Sequence, residues 1–255
     1  MIDLHCHILP GLDDGAPDAA TSLAMAERAV ADGIRTIAAT PHVNFEYEYP
    51  LEAIGRGVRQ LNELLSDAAV PISVVPGAEL DASRAMELLP EQLRDLTLGD
   101  GPYLLVESPY QPIGEVLDEV LYQLQLQGLA PVLAHPERCP IFHANIDHLR
   151  ELVGRGMVCS VGAGSMTGTF GSSVQRFTSR LFSEGLVHSV SSDAHDPDRR
   201  APVLSAGLKA MESELAGRSQ WLTVEAPAAI LRGDPLPSPP TQSARPRKGL
   251  RRLFG

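Results

Sequence analysis

Short apolar runs alternate with amphipathic helical patterns along most of the chain, and this alternation restricts the fold more than any other feature of the sequence. Residues 34–40 and 130–134 have the composition of buried strands, and segments with helical periodicity follow them. About seven such repeats indicate parallel βα units, which form either a closed barrel or an open doubly wound sheet. A chain of 255 residues, 44% of them hydrophobic, is large enough for one such α/β domain.

Side chains that can bind metal ions stand where the predicted strands end. They are His5, His7, His42, Glu79, Glu107, His135, Asp193 and His195. In both architectures, functional side chains gather at the carboxyl ends of the strands. A barrel brings all these ends to one rim, whereas an open sheet distributes them along an edge. We therefore predict a barrel, distorted or incomplete.

The first fifteen residues contain the densest part of this set. His5 and His7 are two residues apart in a predicted strand, so both imidazoles lie on the same face. Asp13 and Asp14 follow in a loop that contains glycine. The chain then offers about nine candidate ligands, more than the three or four that one zinc ion needs. This favours two or three ions such as Mn²⁺, Fe²⁺ or Zn²⁺; the alternative is that these are ordinary histidines at strand ends.

Arginines lie close to the same strand ends. Arg138 comes three residues after a strand-end histidine, and Arg199 and Arg200 follow another. Because the planar guanidinium group matches the geometry of a phosphate, these residues are candidates for phosphate binding; the alternative is that they are surface arginines. The other histidines are not at strand ends and are interpreted as ordinary residues: His143, His148 and His188.

Charge and composition narrow the class of protein further. The net charge of −11 argues against a nucleic-acid-binding protein. Three cysteines, together with a first residue that leads directly into a strand, favour a cytoplasmic protein. Residues 1–232 are predicted to form the folded domain, and the proline-rich, basic residues 233–255 are predicted to be a disordered tail. A weak contact of this tail with an anionic membrane or a partner is the alternative to a tail without a specific role.

Seven short motifs occur in an order that resembles a known superfamily. HCH, DDG, ATPH, GAE, the strand-end Glu107, AHPER and SSDAH together resemble the polymerase-and-histidinol-phosphatase (PHP) superfamily. They are most similar to its bacterial tyrosine-protein phosphatase branch, which is encoded with capsule and exopolysaccharide genes. The resemblance covers residues 1 to about 232 and implies a distorted (β/α)7 TIM-like barrel. It also implies a site for three divalent ions, usually Mn²⁺.

The resemblance implies a separate set of ligands for each ion. The sets are His5, His7, Glu79 and Asp193 for the first ion, Glu79, Glu107 and His135 for the second, and Asp14, His42 and His195 for the third. Asp13 remains an alternative to Asp14. Arg138 and Arg200 match positions that bind the phosphate in the family.

The resemblance also implies a reaction and a substrate. The reaction is attack of a metal-bound hydroxide on phosphorus without a covalent phosphoenzyme. The substrate is the phosphotyrosine-rich tail of a bacterial tyrosine kinase that controls polysaccharide export. Two alternatives remain: a histidinol-phosphate phosphatase with the same ligands, and a non-catalytic metal-bound module that docks a kinase.

Overall fold

Parallel strands connected by helices form the centre of the molecule, which the computed structural model describes over residues 1–99, 101–107 and 114–240. The strands are β1 (Ile2–Cys6), β2 (Thr36–Ala39), β3 (His42–Val43), β4 (Ser73–Pro76), β5 (Glu79–Asp81), β6 (Tyr103–Glu107), β7 (Ala130–Ala134), β8 (Val158–Gly162) and β9 (Ser189–Ser191). They pair in the orders β1-β2-β4 and β3-β5-β6-β7-β8-β9.

Helices connect these strands on the outside. They are α1 (Ala19–Ala31), α2 (Glu52–Asp67), α3 (Ala82–Ala85), α4 (Pro90–Asp95), α5 (Gly114–Leu126), α6 (Pro140–Ala144), α7 (Ile146–Gly154), α8 (Ala163–Thr167), α9 (Ser172–Ser183), α10 (Ser205–Ala210), α11 (Glu212–Leu215) and α12 (Ala226–Arg232). A 3₁₀ turn forms at Pro136–Arg138 and a π-helical turn at Trp221–Glu225.

The two sheets belong to one closed ring of strands. β3 continues the line of β2 after Pro41, which has no N–H to donate, and β5 continues β4 after Gly77. The end of β9 returns to β1, where the Asp193 N–H donates to the His5 carbonyl over 2.9 Å. When each interrupted strand is counted once, the described strands form a seven-membered parallel barrel. The predicted distorted (β/α)7 TIM-like fold is therefore confirmed.

A bulge in β1 explains how apolar and metal-binding side chains can share the barrel interior. Asp3 pairs with Ile37 and Cys6 with Ala39, so β1 contains one residue more than its partner. Bulges redirect side chains. Leu4 consequently packs with an inner apolar cluster that includes Leu105 and Val132, while the next residue, His5, reaches the metal-binding cluster described below.

Two segments contain more helices than their sequence patterns indicate. The pattern at 84–89 predicts one short helix and the pattern at 202–215 another, whereas the structure has α3 and α4 around the first segment and α10 and α11 in the second. Gly162 is the N-cap residue of α8, and Gly164 lies in the first turn of this helix. Within the described residues, no helix is both long enough and apolar enough to span a membrane.

The segment after α12 turns back onto the barrel. The Tyr103 hydroxyl donates to the Asp234 carbonyl over 2.9 Å, and Trp221 Nε1–H donates to the Pro237 carbonyl over 3.0 Å. Leu236 packs against the core. Residues 234–237 are therefore ordered against the body, although they belong to the segment predicted to be a tail, and residues 241–255 lie outside the described part of the chain.

Candidate metal centre

The barrel brings the strand-end imidazoles and carboxylates together at one mouth. Their ligand atoms form three groups, which we call donor groups, and within each group all the atoms lie within 4.8 Å of one another. The groups are His5, His7, Glu79 and Asp193; His7, Asp14, His42 and His195; and His42, Glu79 and Glu107. His135 is outside these groups, but its Nε2 lies 2.7 Å from Glu79 Oε1. All nine residues predicted as ligands therefore lie in one cluster, which we call the donor cluster.

Glu79 lies at the centre of the cluster. Its Oε2 is 3.0 Å from His5 Nε2, 3.3 Å from His7 Nε2 and 3.3 Å from His42 Nδ1. The side chain is only 1% exposed. Burial opposes ionisation of this carboxyl group, but His5, His135 and the other imidazoles keep the pKa of Glu79 well below its ordinary value.

Asp193 connects the cluster with the two candidate arginines. Its Oδ2 accepts from Arg138 Nη2 over 2.5 Å and from Arg200 Nη2 over 2.9 Å, while its Oδ1 lies 3.4 Å from His5 Nε2. Burial opposes ionisation, but His5, His7 and Arg138 hold the pKa of Asp193 well below its ordinary value. Asp193 also adopts a left-handed backbone with φ of 52°. Such strain in a residue other than glycine is typical of functional sites.

The arrangement of donors fits a divalent cation. His5 Nε2 and His7 Nε2 are 3.0 Å apart, and both face the same oxygen of Glu79. Burial and the neighbouring Glu79 raise the pKa of Glu107 to about 8, because another negative charge is unfavourable there. A cation would interact favourably with all these nitrogen and oxygen atoms. Imidazole and carboxylate donors without a thiolate suit Mn²⁺, Fe²⁺ and Zn²⁺.

The two neighbouring aspartates after β1 have different surroundings. Asp14 Oδ1 lies 3.4 Å from His195 Nε2 and 3.6 Å from His42 Nε2, and these interactions, mainly the one with His195, lower the pKa of Asp14 to about 2. Asp13 Oδ2 instead accepts from His7 Nδ1 over 2.6 Å and from the His42 N–H over 2.9 Å. Asp14 therefore belongs to the donor groups, whereas Asp13 orients His7 from behind, as carboxylates do for metal-binding histidines.

The arginines form one edge of the site. Arg138 is 8% exposed, and its guanidinium carbon lies 4.6 Å from the ring centroid of Phe170. Arg200 also donates to the Asp193 backbone carbonyl over 3.1 Å. Arg199 is exposed and its backbone N–H donates to Asp196. Arg138 and Arg200 are therefore the two arginines that the structure places beside the donor cluster.

The other histidines have local partners. His143 Nε2 contacts the Glu137 carbonyl at 2.6 Å, His148 Nε2 contacts Asp118 at 2.7 Å, and His188 Nδ1 accepts the Cys159 N–H over 3.1 Å. These contacts agree with their interpretation as ordinary residues. All three cysteines are buried, and burial raises the pKa of each thiol, so none is an activated nucleophile.

Asp3 supports the site, although the sequence pattern did not single it out. This buried carboxylate accepts from the Ser192 hydroxyl over 2.5 Å, from the Ser192 N–H over 3.0 Å and from the His5 N–H over 3.2 Å. It thereby holds the residue before Asp193 against β1. The signal in the sequence was an aspartate inside an otherwise apolar strand, where this residue is unusual.

Comparison with known proteins agrees with this geometry. Residues 1–232 match the family model for capsular polysaccharide synthesis, CpsB/CapC. Tyrosine-protein phosphatase YwqE of Bacillus subtilis (strain 168) is 37% identical over 256 residues, which cover 100% of this chain and 99% of that protein. Tyrosine-protein phosphatase CpsB of Streptococcus pneumoniae is 29% identical over 239 residues, which cover 91% and 98%.

A solved structure has the same overall arrangement. It comes from the work on YwqE from Bacillus subtilis and CpsB from Streptococcus pneumoniae, described as unique metal-dependent tyrosine phosphatases. The TM-score is 0.83 at 36% sequence identity, and the match covers 94% of this chain and 99% of that chain. The family match, the relative of equal length and the shared structure lead to one conclusion: this chain belongs to the CpsB/CapC family of capsular polysaccharide synthesis.

Proposed function

We propose that this chain is a metal-dependent protein-tyrosine phosphatase that acts in the cytoplasm on the phosphotyrosine tail of a bacterial tyrosine kinase controlling capsular or exopolysaccharide synthesis. The observation that carries the proposal is the cluster of imidazoles and carboxylates that meets Arg138 and Arg200 at Asp193. The names of the family relatives support the same activity. We expect three divalent ions, with Mn²⁺ preferred over Fe and Zn.

Each part of the site has its own role in this proposal. We expect the nine clustered side chains to hold the ions, since they bring imidazole and carboxylate groups together and six of them are buried. Bound divalent ions lower the pKa of water and neutralise charge on a phosphoryl group. Asp13 keeps the His7 ring in one orientation through its contact with Nδ1.

The arginines bind and orient the phosphate in this proposal. Arg138 and Arg200 both donate to Asp193 Oδ2, so one common carboxylate orients both guanidinium groups. Guanidinium groups stabilise the negative charge on the equatorial oxygens of a phosphoryl group during transfer. The phenolate of tyrosine, with a pKa of about 10, leaves with little need for protonation, so a dedicated general acid is not required.

A comparison of substrates tests the proposal. The protein is loaded with Mn²⁺ and assayed with a phosphotyrosine peptide and with histidinol phosphate. We expect hydrolysis of the peptide, with activity lost in His42→Ala and Asp193→Ala. Hydrolysis of histidinol phosphate alone would identify the other phosphatase of the same fold. Absence of hydrolysis with both substrates, together with binding to a kinase, would identify a docking module.

A further inference from the structure

A groove opens directly beside the candidate metal centre, and neither the donor cluster nor the two arginines account for it. It has a volume of about 500 Å³ and is formed mainly by the segment 43–51 and by Arg84 and Glu87. The segment follows His42 without interruption. The ring of Tyr47 lies parallel to the imidazole of His42, with 5.9 Å between the ring centroids. The groove therefore begins at the edge of the site and leads away from it.

Hydrogen bonds fix the shape of the segment that lines this groove. Asn44 Oδ1 accepts from the N–H groups of Glu46 and Tyr47 over 2.9 and 3.1 Å. The Tyr49 hydroxyl donates to the His42 carbonyl over 2.5 Å. The surface is therefore preorganised, which reduces the entropic cost of binding a peptide.

Phe45 presents an uncovered aromatic ring in this groove. The residue is 60% exposed, and the Arg84 guanidinium carbon lies 5.5 Å from its ring centroid. The ring and the guanidinium group together form a platform on which another planar side chain can stack.

The charges around the platform indicate what it binds. Glu46 and Glu48 lie on the same segment, and Glu87 forms an ion pair with Arg84. The carboxylates thus outnumber the single guanidinium group, which is the reverse of the edge formed by Arg138 and Arg200. An acidic side chain would be repelled here, whereas an uncharged aromatic side chain would gain stacking without an electrostatic penalty.

We infer that this groove binds the residue that flanks the phosphotyrosine in a peptide substrate and prefers an aromatic side chain at that position. The inference depends on the proposed phosphatase function. With the phosphate at the donor cluster, the peptide passes Tyr47 and places a neighbouring side chain against Phe45.

The test uses three phosphotyrosine peptides that differ only at the flanking positions, with phenylalanine, alanine or aspartate, and phenyl phosphate as a small substrate. For the wild-type protein we expect kcat/KM with the phenylalanine peptide to be about 10-fold higher than with the alanine peptide, and lowest with the aspartate peptide. In Phe45→Ala the ratio between the first two peptides should fall to about one. Phe45→Trp should restore it. Tyr122→Ala, which removes another exposed aromatic ring, on α5, is the matched control and should keep the wild-type ratio.

The possible failures can be told apart. Equal rates with all three peptides, unchanged in Phe45→Ala, would overturn the inference while the proposed phosphatase function stands. A preference for aspartate would overturn it as well. If Phe45→Ala lowers the rates with all peptides and with phenyl phosphate by the same factor, Phe45 supports the site itself and not the flanking residue. If the wild-type protein cleaves no phosphotyrosine peptide, the proposed function fails first.

Discussion

The two ends of the barrel bury polar side chains in opposite ways. At the carboxyl end, Glu79 and Asp193 are buried against imidazoles and arginines, so that ionisable groups face one another. At the amino end, buried polar side chains have backbone partners instead. Arg218, which is 3% exposed, donates to three carbonyl groups, and Trp221 Nε1–H donates to the Pro237 carbonyl.

This difference indicates that the buried polar residues at the carboxyl end serve function and those at the amino end serve stability. A buried polar side chain that bonds to the backbone has its hydrogen-bonding groups satisfied within the fold, and it stabilises the folded chain. A cluster of converging carboxylates and imidazoles is costly unless a cation compensates the charges. In parallel barrels the carboxyl end carries the functional residues and the amino end contributes to stability. Substitutions at the two ends should therefore change different measurements.

The largest effect is expected for Glu79→Gln, which keeps the shape of the side chain and removes its charge. Glu79 belongs to two donor groups and contacts four imidazoles. We expect phosphatase activity to fall by about 10³-fold or more, together with a lower content of bound metal. Glu151→Gln, at an exposed position on α7, is the control and should behave like the wild type. Full activity of Glu79→Gln would mean that the cluster is not the reaction site.

Arg138→Ala should have the next largest effect. Because this arginine touches Asp193 at the edge of the cluster, its removal should lower kcat/KM for a phosphotyrosine peptide by about 10²-fold and leave the metal content unchanged. Arg199→Ala, which removes an exposed arginine outside the cluster, should change kcat/KM by less than about threefold. Equal losses in both variants would contradict the placement of the phosphate beside Arg138.

At the amino end, Arg218→Met should reduce stability and not catalysis. The substitution keeps much of the side-chain volume but removes hydrogen bonds to the carbonyls of Leu215, Phe182 and Glu214. We expect the free energy of unfolding to fall by about 2 kcal/mol and Tm by about 6 °C. Activity per folded molecule should match the wild type. A loss of activity without a change in Tm would contradict the assignment of stability to the amino end and of catalysis to the carboxyl end.

A smaller effect concerns pH and His188, which precedes β9 at the amino end. Burial lowers the pKa of His188 to about 4, whereas an unfolded histidine has a pKa of about 6.5. Between these values the unfolded chain takes up a proton that the folded chain does not, so stability falls as the pH decreases below 6.5.

His188→Asn tests this effect, because its amide oxygen can still accept the Cys159 N–H. Between pH 7 and pH 5.5, the variant should lose about 1 kcal/mol less stability than the wild type, as measured by denaturant unfolding. Identical acid sensitivity of the two proteins would show that His188 is not held neutral by burial.

The sequence pattern predicted the carboxyl end better than the amino end. The strand-end residues were identifiable because a buried strand followed by a histidine or a carboxylate is rare, and parallel strands bring their ends together. The family and the barrel are confirmed. The assignment of single residues to single ions stays a prediction.

Other features depend on contacts between distant segments, which local patterns do not contain. A Cβ atom at Gly77 would lie 2.8 Å from the Leu98 side chain, so the need for glycine between β4 and β5 comes from a residue further along the chain. The contact between Tyr103 and Asp234 similarly joins residues 131 positions apart. The extra residue in β1 and the groove beside Phe45 were not predicted for the same reason.

Metal analysis combined with activity measurements tests the central claim most directly. The purified protein is analysed for bound metals, treated with a chelator, assayed with a phosphotyrosine peptide, and assayed again after addition of Mn²⁺. We predict up to three ions per chain, one for each donor group, loss of hydrolysis on chelation and its recovery with Mn²⁺. A metal-free protein that hydrolyses the peptide at the full rate would contradict the account.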